Sequence, residues 1–492
     1  MATSSGPPTI EEHIDASGLG LYQLKIFIIS ALVAIADGME MVVISMLRKP
    51  LQDEFGIGDM EFAMLGSVVF AGLLIGNLFG GLLADWYGRR VCLIAMGALF
   101  CVAGTASAFA QSLLQFSILR FITGIGIGSM IPVTDAYVLE WSPTEWRSKL
   151  VVGLIGVAFA LGTIFAAGIG ILVHEGFGDG DIWWRVFLLI CVLPGLIGVP
   201  LIYFMLPESV HYLLVKGDRA EIKRLLKEMS EANGTALLAD GEVAAGSEHS
   251  GTKTGEDQEQ ITELFGPTLI GTTAYCTVAF VSCGFIYWGS IFIYPFVLEQ
   301  IHGMEITEAY SAVMLNSCIE ALVYIPFVIM MDWEGIGRRW AMVVGFAIVF
   351  VTAVIAPLVV GNVTLFICTN SVLRAMVAGP FTVLYIYAGE LFPSTLRTTG
   401  IAVCNSFGRL AAMSAPVVTQ AAFGLSVTVL YALFGAFALA GLLAGLLFTR
   451  ETLGRALPVY TSELAAQIKA EEVAKNEAKA PLLSKTGTSV EV

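Results

Sequence analysis

The sequence predicts an all-α membrane protein in which twelve transmembrane helices form two pseudo-symmetric six-helix bundles. Hydrophobic residues make up 56% of the 492 residues and charged residues only 14%, which is too little charge to cover a soluble protein of this length. Apolar runs of about 20 residues, enough to cross roughly 30 Å of hydrocarbon, recur along the chain. One sequence motif occurs once in each half, which predicts that the two halves are related.

The repeated motif is Y-x-x-E-x-x-P-x-x-x-R. Its two copies are Tyr137, Glu140, Pro143 and Arg147, then Tyr387, Glu390, Pro393 and Arg397. They are offset by 250 residues (387 minus 137), and each lies where a long apolar run meets a short charged segment. Repetition at about half the chain length indicates one structural unit used twice. We expect the acidic and basic residues of both copies to act in gating.

The apolar runs divide the chain into segments. Spans 1 to 6 are predicted at about 25–45, 62–83, 91–110, 114–138, 150–173 and 185–206. Spans 7 to 12 are predicted at about 268–298, 309–331, 340–360, 364–389, 399–421 and 425–448. The predicted domains are an N-terminal segment 1–24, a bundle 25–206, a linker 207–266, a second bundle 267–449 and a tail 450–492. Within the linker, Asp218 and Glu221 resemble a capping box and predict a short surface helix at 219–232.

The distribution of basic residues predicts the orientation. Most of the 26 Lys and Arg lie in segments that share one side of the membrane with both termini, and Arg48 and Lys49 are the clear exceptions. Positive residues in short loops are retained in the cytoplasm, so we expect both termini there. The charge of the loops indicates only which side of the membrane they face. It leaves open whether the protein lies in the plasma membrane or in a vesicle or vacuole membrane.

Several classes of activity lack support in the sequence. The eight Cys lie in the predicted spans without metal-ligand spacing, and no Walker motif or nucleophile constellation is present. The run GIGIG at 124–128 superficially matches a dinucleotide fingerprint, but it lies inside an apolar span with no strand before it. We therefore expect no enzyme activity, no cofactor and no metal. The net charge of −15 lies largely in the tails and loops and is uninformative about nucleic acid, but no basic patch with aromatic residues is present, so we expect no nucleic-acid partner. We expect a monomer in the lipid bilayer.

The turn between spans 2 and 3 reads GLLADWYGRR and resembles the signature loop of the major facilitator superfamily, whose members are transporters built from repeated bundles. The resemblance implies that Asp85 caps the next helix while Arg89 and Arg90 anchor the turn. The second half repeats this turn imperfectly as DWEGIGRR, which ends with Arg338 and Arg339. Either Asp332 or Glu334 could take the role of Asp85, and spacing favours Glu334. These residues are expected to gate the pathway.

Further motifs narrow the resemblance. Arg120 followed by glycines in span 4, PES at 207–209 and ETLGR at 451–455 are similar to other motifs of the superfamily. The pair Asp37 and Glu40 in span 1, together with residues of spans 7, 10 and 11, resembles the transporters related to synaptic vesicle protein 2. The same pair is also similar to that of bacterial aromatic-acid and nicotinate proton symporters. Glu40 aligns with the proton-linked acid of the sugar porters, which implies a proton-binding role.

Ionisable groups inside a span are costly and mark candidate sites. The candidates for substrate or proton binding are Asp37, Glu40, Arg120, Glu320, Arg374 and Arg409, with Tyr287 and Trp288 as cavity-lining aromatics. At about 1.5 Å per residue, Glu40 lies about 8 Å and Arg120 about 9 Å from the outer end of its span. The two residues should therefore lie at the same depth in the membrane. We expect Glu40 to carry a proton, Arg120 to be its counter-ion and Asp37 to orient substrate. Asp135 is expected to gate or cap.

Three functions remain open at this point. The leading hypothesis is secondary transport of a small organic ion by alternating access, coupled to protons. The alternatives are a facilitator of a neutral solute and a transporter-like membrane sensor without flux. Acidic and basic candidates are mixed in the cavity helices, so the sequence does not select the charge of the substrate.

Overall fold

The computed structural model describes residues 8–178, 182–238, 261–393, 396–448, 450–453, 461–467 and 469. Every regular element within these residues is helical, and twelve helices are long and apolar enough to cross a membrane. This finding confirms the predicted fold class. The linker residues 239–260 and most of the predicted tail 450–492 lie outside the described residues.

Each predicted span corresponds to one of these helices. Spans 1 to 6 are Leu21–Met46, Asp59–Tyr87, Arg89–Ser107, Leu113–Trp141, Gly156–Phe177 and Trp183–Met205. Spans 7 to 12 are Ile270–His302, Ile306–Asp332, Gly337–Leu358, Val363–Leu391, Thr399–Leu425 and Val427–Leu447. Span 5 is entered through a short helix, Arg147–Val152, and a π-helical turn, Gly153–Ala158. The sequence did not predict this turn, and such turns are frequent at functional sites.

Four shorter helices mark the two faces of the molecule. Ile10–Ser17, Val210–Lys216 and Arg219–Asn233 lie on one face, called the linker face below, and Arg48–Phe55 lies on the opposite face. The predicted surface helix is present as Arg219–Asn233, and the side chain of Asp218 accepts the Glu221 amide at 3.1 Å.

The N-terminal segment is folded onto the linker. The amide of Asn233 at the end of the linker helix donates to the Ser17 hydroxyl at 2.8 Å, and its oxygen accepts the Tyr22 amide at 3.0 Å. His211 lies 3.1 Å from Glu11, and Asp15 accepts the Thr144 amide at 2.6 Å. These bonds fix the entry of span 1 against the linker and against the turn that follows span 4.

Glycines bring the helices of the first bundle into close contact. A Cβ added at Gly72 in span 2 would lie 2.2 Å from the Phe121 carbonyl oxygen of span 4, and one at Gly128 would lie 2.6 Å from the Leu73 carbonyl oxygen. Small residues allow such backbone approach between helices in a membrane. The glycines of span 4 therefore serve packing, which agrees with the rejection of a dinucleotide loop.

Among the described residues, the most extensive contacts between the two bundles involve three pairs of helices. Span 1 contacts span 7, span 2 contacts span 11 and span 5 contacts span 8. Residues 36–47 of span 1 and 282–298 of span 7 are buried without interruption, so these two spans form the centre of the molecule toward the opposite face.

The close approach of spans 2 and 4 generates a prediction about stability. Gly72→Ala should lower the free energy of unfolding by about 1–3 kcal/mol, because the added methyl group meets backbone that cannot move without separating the helices. Gly81→Ala, in the same helix with no neighbouring atom within 4 Å of the new methyl, should be neutral or slightly stabilising. Thermal unfolding in detergent measures both variants, and equal melting temperatures would contradict the packing assignment.

Candidate functional site

Glu40 and Arg120 form a buried ion pair in the first bundle. Glu40 Oε1 lies 2.6 Å from Arg120 Nη1, and the two residues are 2% and 0% exposed. Arg120 Nη2 also donates to the Ser107 hydroxyl at 2.7 Å. Span 1 is thereby tied to spans 3 and 4. The structure places the two residues together as the depth argument predicted.

Glu320 and Arg374 form a second buried pair, in the second bundle. Arg374 Nε lies 3.0 Å from Glu320 Oε2. The other carboxylate oxygen accepts the Tyr287 hydroxyl at 2.5 Å and the Tyr324 hydroxyl at 3.1 Å. Tyr324 was missed by sequence reasoning, because nothing in the sequence distinguishes it from a packing tyrosine.

The two arginines are not at equivalent positions of the repeat. Arg120 precedes Tyr137 by 17 residues (137 minus 120), and Arg374 precedes Tyr387 by 13 (387 minus 374). The difference is about one helical turn, or roughly 6 Å along the helix. Asn370 occupies the position that matches Arg120, and it accepts the Tyr431 hydroxyl at 2.9 Å. The internal symmetry is therefore broken where the charges lie.

Asp37, Asp135 and Arg409 form a third charged group, which crosses the bundle interface. Asp37 is 9% exposed and interacts electrostatically with Arg409 and Glu40. Asp135 interacts with Asp37 and Arg409, and both Asp135 and Arg409 are partly exposed. The expected capping role of Asp135 is wrong, because span 4 continues past it to Trp141.

Aromatic side chains join the bundles around this group. The Trp288 ring centroid of span 7 lies 5.4 Å from that of Phe70 in span 2 and 6.0 Å from that of Phe159 in span 5. Tyr287 lies 6.3 Å from Phe159. Tyr287 and Trp288 thus lie at the bundle interface, and Trp288 is packed there with 6% exposure.

Contacts between the bundles close the opposite face. Arg48 forms an ion pair with Asp59, and its guanidinium lies over the Phe296 ring of span 7. Burial lowers the pKa of the Arg48 guanidinium, and the hydrogen bond to Asp59 opposes that shift. The Tyr310 hydroxyl of span 8 donates to the Met46 carbonyl. The sequence could have identified Arg48, because most basic residues are predicted on the side of the membrane opposite to it.

The predicted gating residues form matching clusters on the linker face. Arg89 lies 3.2 Å from Glu140 and 3.1 Å from Asp85. In the second half, Arg338 lies 3.0 Å from Glu390 and 3.5 Å from Asp332. The preference for Glu334 was wrong: among the described residues, Asp332 is the one that pairs as Asp85 does. Span 8 stays helical through Asp332, so the two extra residues lengthen the turn that follows.

The carboxylates that end each bundle take the capping role expected of Asp85. Glu208 accepts the Arg90 amide at 3.1 Å, and Glu451 accepts the Arg338 and Arg339 amides at 3.1 and 3.0 Å. Asp85 instead lies in the last turn of span 2, so its assignment as a cap is wrong.

The remaining residues of the repeated motif anchor the same turns. The Tyr137 hydroxyl donates to the Pro207 carbonyl at 2.8 Å, and the Tyr387 hydroxyl donates to the Arg450 carbonyl. Arg147 Nε donates to the Ser142 carbonyl at 3.1 Å, and Arg397 interacts electrostatically with Glu390.

Comparison with known sequences agrees with this geometry. The model of the family described as "Sugar (and other) transporter" matches residues 18–464. The chain belongs to this family. Synaptic vesicle 2-related protein of Xenopus laevis is 27% identical over 468 residues, which cover 91% of this chain and 82% of the relative. Organic cation/carnitine transporter 7 of Arabidopsis thaliana is 27% identical over 500 residues, which cover 93% and 97%.

These relatives confirm the resemblance to the synaptic vesicle 2-related branch of the major facilitator superfamily. A solved structure of the xylose transporter XylE from E. coli, in a partially occluded inward open conformation, matches with a TM-score of 0.70. It covers 89% of this chain and 100% of that chain at 19% identity, which establishes the shared fold. This family member is therefore a membrane transporter.

The ion pair in the first bundle predicts unequal effects on stability. Glu40→Met should lower the free energy of unfolding by about 3–5 kcal/mol, because it leaves a guanidinium buried that stays protonated. Arg120→Met should lower the free energy of unfolding by less, since the unpaired carboxylate of Glu40 can take up a proton. The double variant should recover most of the loss. Unfolding of the four proteins in detergent measures the cycle, and additive losses in the double variant would contradict a direct pair.

Proposed function

We propose that this protein is a proton-coupled secondary transporter of a small organic ion that works by alternating access of its two bundles. The observation that carries the proposal is the buried Glu40–Arg120 pair, with 2.6 Å between Oε1 and Nη1. An ionisable pair inside apolar helices costs free energy that passage of a neutral solute does not require. The pair therefore favours ion coupling over a neutral facilitator.

The pair can bind and release one proton as its geometry changes. While Arg120 contacts Glu40, the guanidinium stabilises the charged carboxylate. If movement of span 1 separates them, the carboxylate is left in apolar surroundings, where the protonated form is favoured. In this structure Ser107 accepts a hydrogen bond from the guanidinium at 2.7 Å, independently of Glu40. Glu40 thus carries the proton, Arg120 is its counter-ion, and Asp37, one turn nearer the linker face, faces the substrate.

The orientation of the protein gives this cycle a direction. The excess of basic residues on the linker face supports a cytoplasmic location for that face and for both termini. With the opposite face closed by Arg48 and Tyr310, this conformation faces the cytoplasm. Opening to the other side then requires those contacts to part. The similarity to synaptic vesicle 2-related protein of Xenopus laevis favours a vesicle membrane over the plasma membrane.

The test uses purified protein in liposomes. A thermal-stabilisation screen of organic cations, aromatic carboxylates and nucleosides first supplies a ligand. Wild-type protein should accumulate this ligand against its gradient when a proton gradient of one direction is imposed. Flux that does not respond to a proton gradient of either direction would contradict the proposal and favour a facilitator. Binding with no flux at all would favour a sensor.

Glu40→Gln should keep exchange of bound substrate and lose accumulation driven by protons. The amide oxygen of Gln can still accept a hydrogen bond from Arg120, so the site stays assembled, but Gln cannot carry the proton. Glu175→Gln, the same chemical change at an exposed position near the end of span 5, should behave as wild type. Uphill transport by Glu40→Gln at the wild-type level would refute the assignment, and Asp37→Asn would then be tested in the same assay.

Replacing Arg89 or Arg338 should slow alternation and leave equilibrium ligand affinity nearly unchanged. Each guanidinium holds the linker-face end of its own bundle through Glu140 or Glu390. Loss of about 1.4 kcal/mol of this stabilisation from the transition state of alternation would slow exchange about tenfold. Exchange rates and ligand titrations measure the two quantities, and Arg219→Gln on the exposed linker helix is the control. Abolished binding in a folded Arg89 or Arg338 variant would show that the gating assignment is wrong.

A further inference from the structure

Span 5 meets span 8 of the other bundle at two glycines. Gly156 lies in the π-helical turn at the start of span 5, and a Cβ added there would lie 3.0 Å from three atoms of the Tyr324 ring. A Cβ added at Gly170 would lie 3.1 Å from the Tyr310 ring. The two glycines are 14 residues apart (170 minus 156), and so are the two tyrosines (324 minus 310). Each glycine therefore allows a tyrosine of the second bundle to pack directly on the backbone of the first.

The hydroxyls of these two tyrosines reach different groups. The Tyr310 hydroxyl donates to the backbone carbonyl of Met46 in span 1, so this contact belongs to the closed opposite face. The Tyr324 hydroxyl donates instead to the Glu320 carboxylate at 3.1 Å, inside the second bundle. Tyr324 is 5% exposed and Glu320 is fully buried. The ring and the hydroxyl of Tyr324 thus join the interface with the first bundle to the interior of the second.

The orientation of Glu320 depends on two tyrosine hydroxyls. Tyr287 and Tyr324 both donate to its Oε1 atom. Arg374 Nε lies 3.0 Å from Oε2, but neither of these two atoms makes a hydrogen bond among the described residues. A hydrogen bond weakens steeply as its angle departs from linear, so it fixes direction as well as distance. The two hydroxyls therefore determine where the carboxylate points.

Both tyrosines pack on the same stretch of span 5. Tyr324 contacts Gly156, and the Tyr287 ring centroid lies 6.3 Å from that of Phe159. The Phe159 carbonyl oxygen faces span 1, where a Cβ added at Gly38 would meet it. This stretch thus lies between span 1 and the two tyrosines. Both rings are buried, and closely packed interiors transmit displacement. A shift of the stretch therefore displaces both hydrogen-bond donors of the carboxylate together.

We propose that Tyr324 and Tyr287 are positioning residues, through which span 5 controls the orientation of Glu320 during alternating access. The proposal rests on the alternating access of the proposed function and adds the contact that links the two bundles to a buried ion pair. When the bundles rock, the π-helical turn moves against span 8, and Tyr324 carries this movement to the pair of Glu320 and Arg374. The pair holds the turn in place through the same contacts, because coupling acts in both directions.

The test measures backbone hydrogen exchange of the full-length chain in detergent by mass spectrometry. Tyr324→Phe keeps the ring on Gly156 and removes only the bond to Glu320, so a residue that merely packs would tolerate the change. We expect the amides of 153–158 in the first bundle to exchange about fivefold faster, which is the effect of losing one hydrogen bond. Tyr287→Phe should have the same effect, and the two changes together should exceed either one.

Movement imposed on span 5 should reach the second bundle. Gly156→Ala places a methyl group 3.0 Å from the Tyr324 ring, which has to give way. The amides of 317–324 in span 8 should then exchange several-fold faster, because the coupling is reciprocal. Gly168→Ala is the matched control in the same helix. The nearest described atom to its methyl group is Met314 Sδ, at an ordinary 3.9 Å, so exchange should stay as in wild type.

Loss of the buried pair should be felt in the other bundle as well. Replacing Glu320 and Arg374 together by Met removes the acceptor without leaving an unpaired charge. The amides of 153–158 should exchange faster, as they do in Tyr324→Phe. In a protein that already carries Tyr324→Phe and Tyr287→Phe, the same replacement should change these amides no further, since the connection is already cut.

Tyr310→Phe is the control for loss of a hydroxyl from the same helix as Tyr324. The Tyr310 bond goes to Met46, so its loss acts on the opposite face. The amides of Arg48–Phe55 should exchange faster, whereas those of 153–158 should stay as in wild type. This difference separates the proposed coupling from a general loosening of span 8.

Two results would overturn the proposal. One is unchanged exchange of 153–158 in Tyr324→Phe, and the other is equal acceleration there by Tyr324→Phe and Tyr310→Phe. If the double Met variant fails to fold, Tyr324→Phe and Tyr287→Phe decide the matter by the same measurement. None of these measurements uses a ligand or a proton gradient. Hydrogen exchange as described, together with liposome flux that ignores proton gradients, would refute proton coupling and leave this inference intact.

Discussion

The need to neutralise charge inside an apolar helix bundle governs the interior of this transporter. Glu40 meets Arg120 within the first bundle, and Glu320 meets Arg374 within the second. Each pair ties helices of its own half together, because its hydrogen bonds reach Ser107 in one case and Tyr287 in the other. The bundles are thereby held as separate units, and Arg409 is left to interact with carboxylates across the interface. This division suits two units that move against each other.

The linker face uses the same principle at the helix ends. Glu208, just after span 6, accepts the backbone amide that begins span 3, and Glu451, just after span 12, does the same for span 9. The arginines of these turns meet Glu140 and Glu390 in the fourth helix of each bundle. The turn between the second and third helices of a bundle is thus joined to its fourth helix and to the segment that follows its sixth. The two halves of the chain therefore match in the contacts of this turn.

The sequence was sufficient for the spans and for one ion pair. Span length follows from membrane thickness, and Glu40 and Arg120 were matched by counting residues from the helix ends. Counting residues wrongly favoured Glu334 as the equivalent of Asp85, because the count assumed that both turns have the same length. Span 8 instead stays helical through Asp332. The count also missed the cap by Glu208, which lies 118 residues from Arg90 in the chain. Contacts at that separation depend on packing that no local pattern records.

The Glu40–Arg120 and Glu320–Arg374 pairs also bear on the response of the protein to voltage. While both of its groups are ionised, each pair travels with its own bundle as a neutral unit, so the pairs then carry no net charge through the electric field when the bundles rock. Moving one elementary charge across the whole membrane against a potential of about 100 mV requires about 2.3 kcal/mol. A fully ionised pair is exempt from this cost, whereas the Glu40–Arg120 pair carries one positive charge once Glu40 has taken up a proton. Membrane potential can therefore bias the cycle through the proton that Glu40 is proposed to carry and through charges outside the pairs, which include the group at the bundle interface.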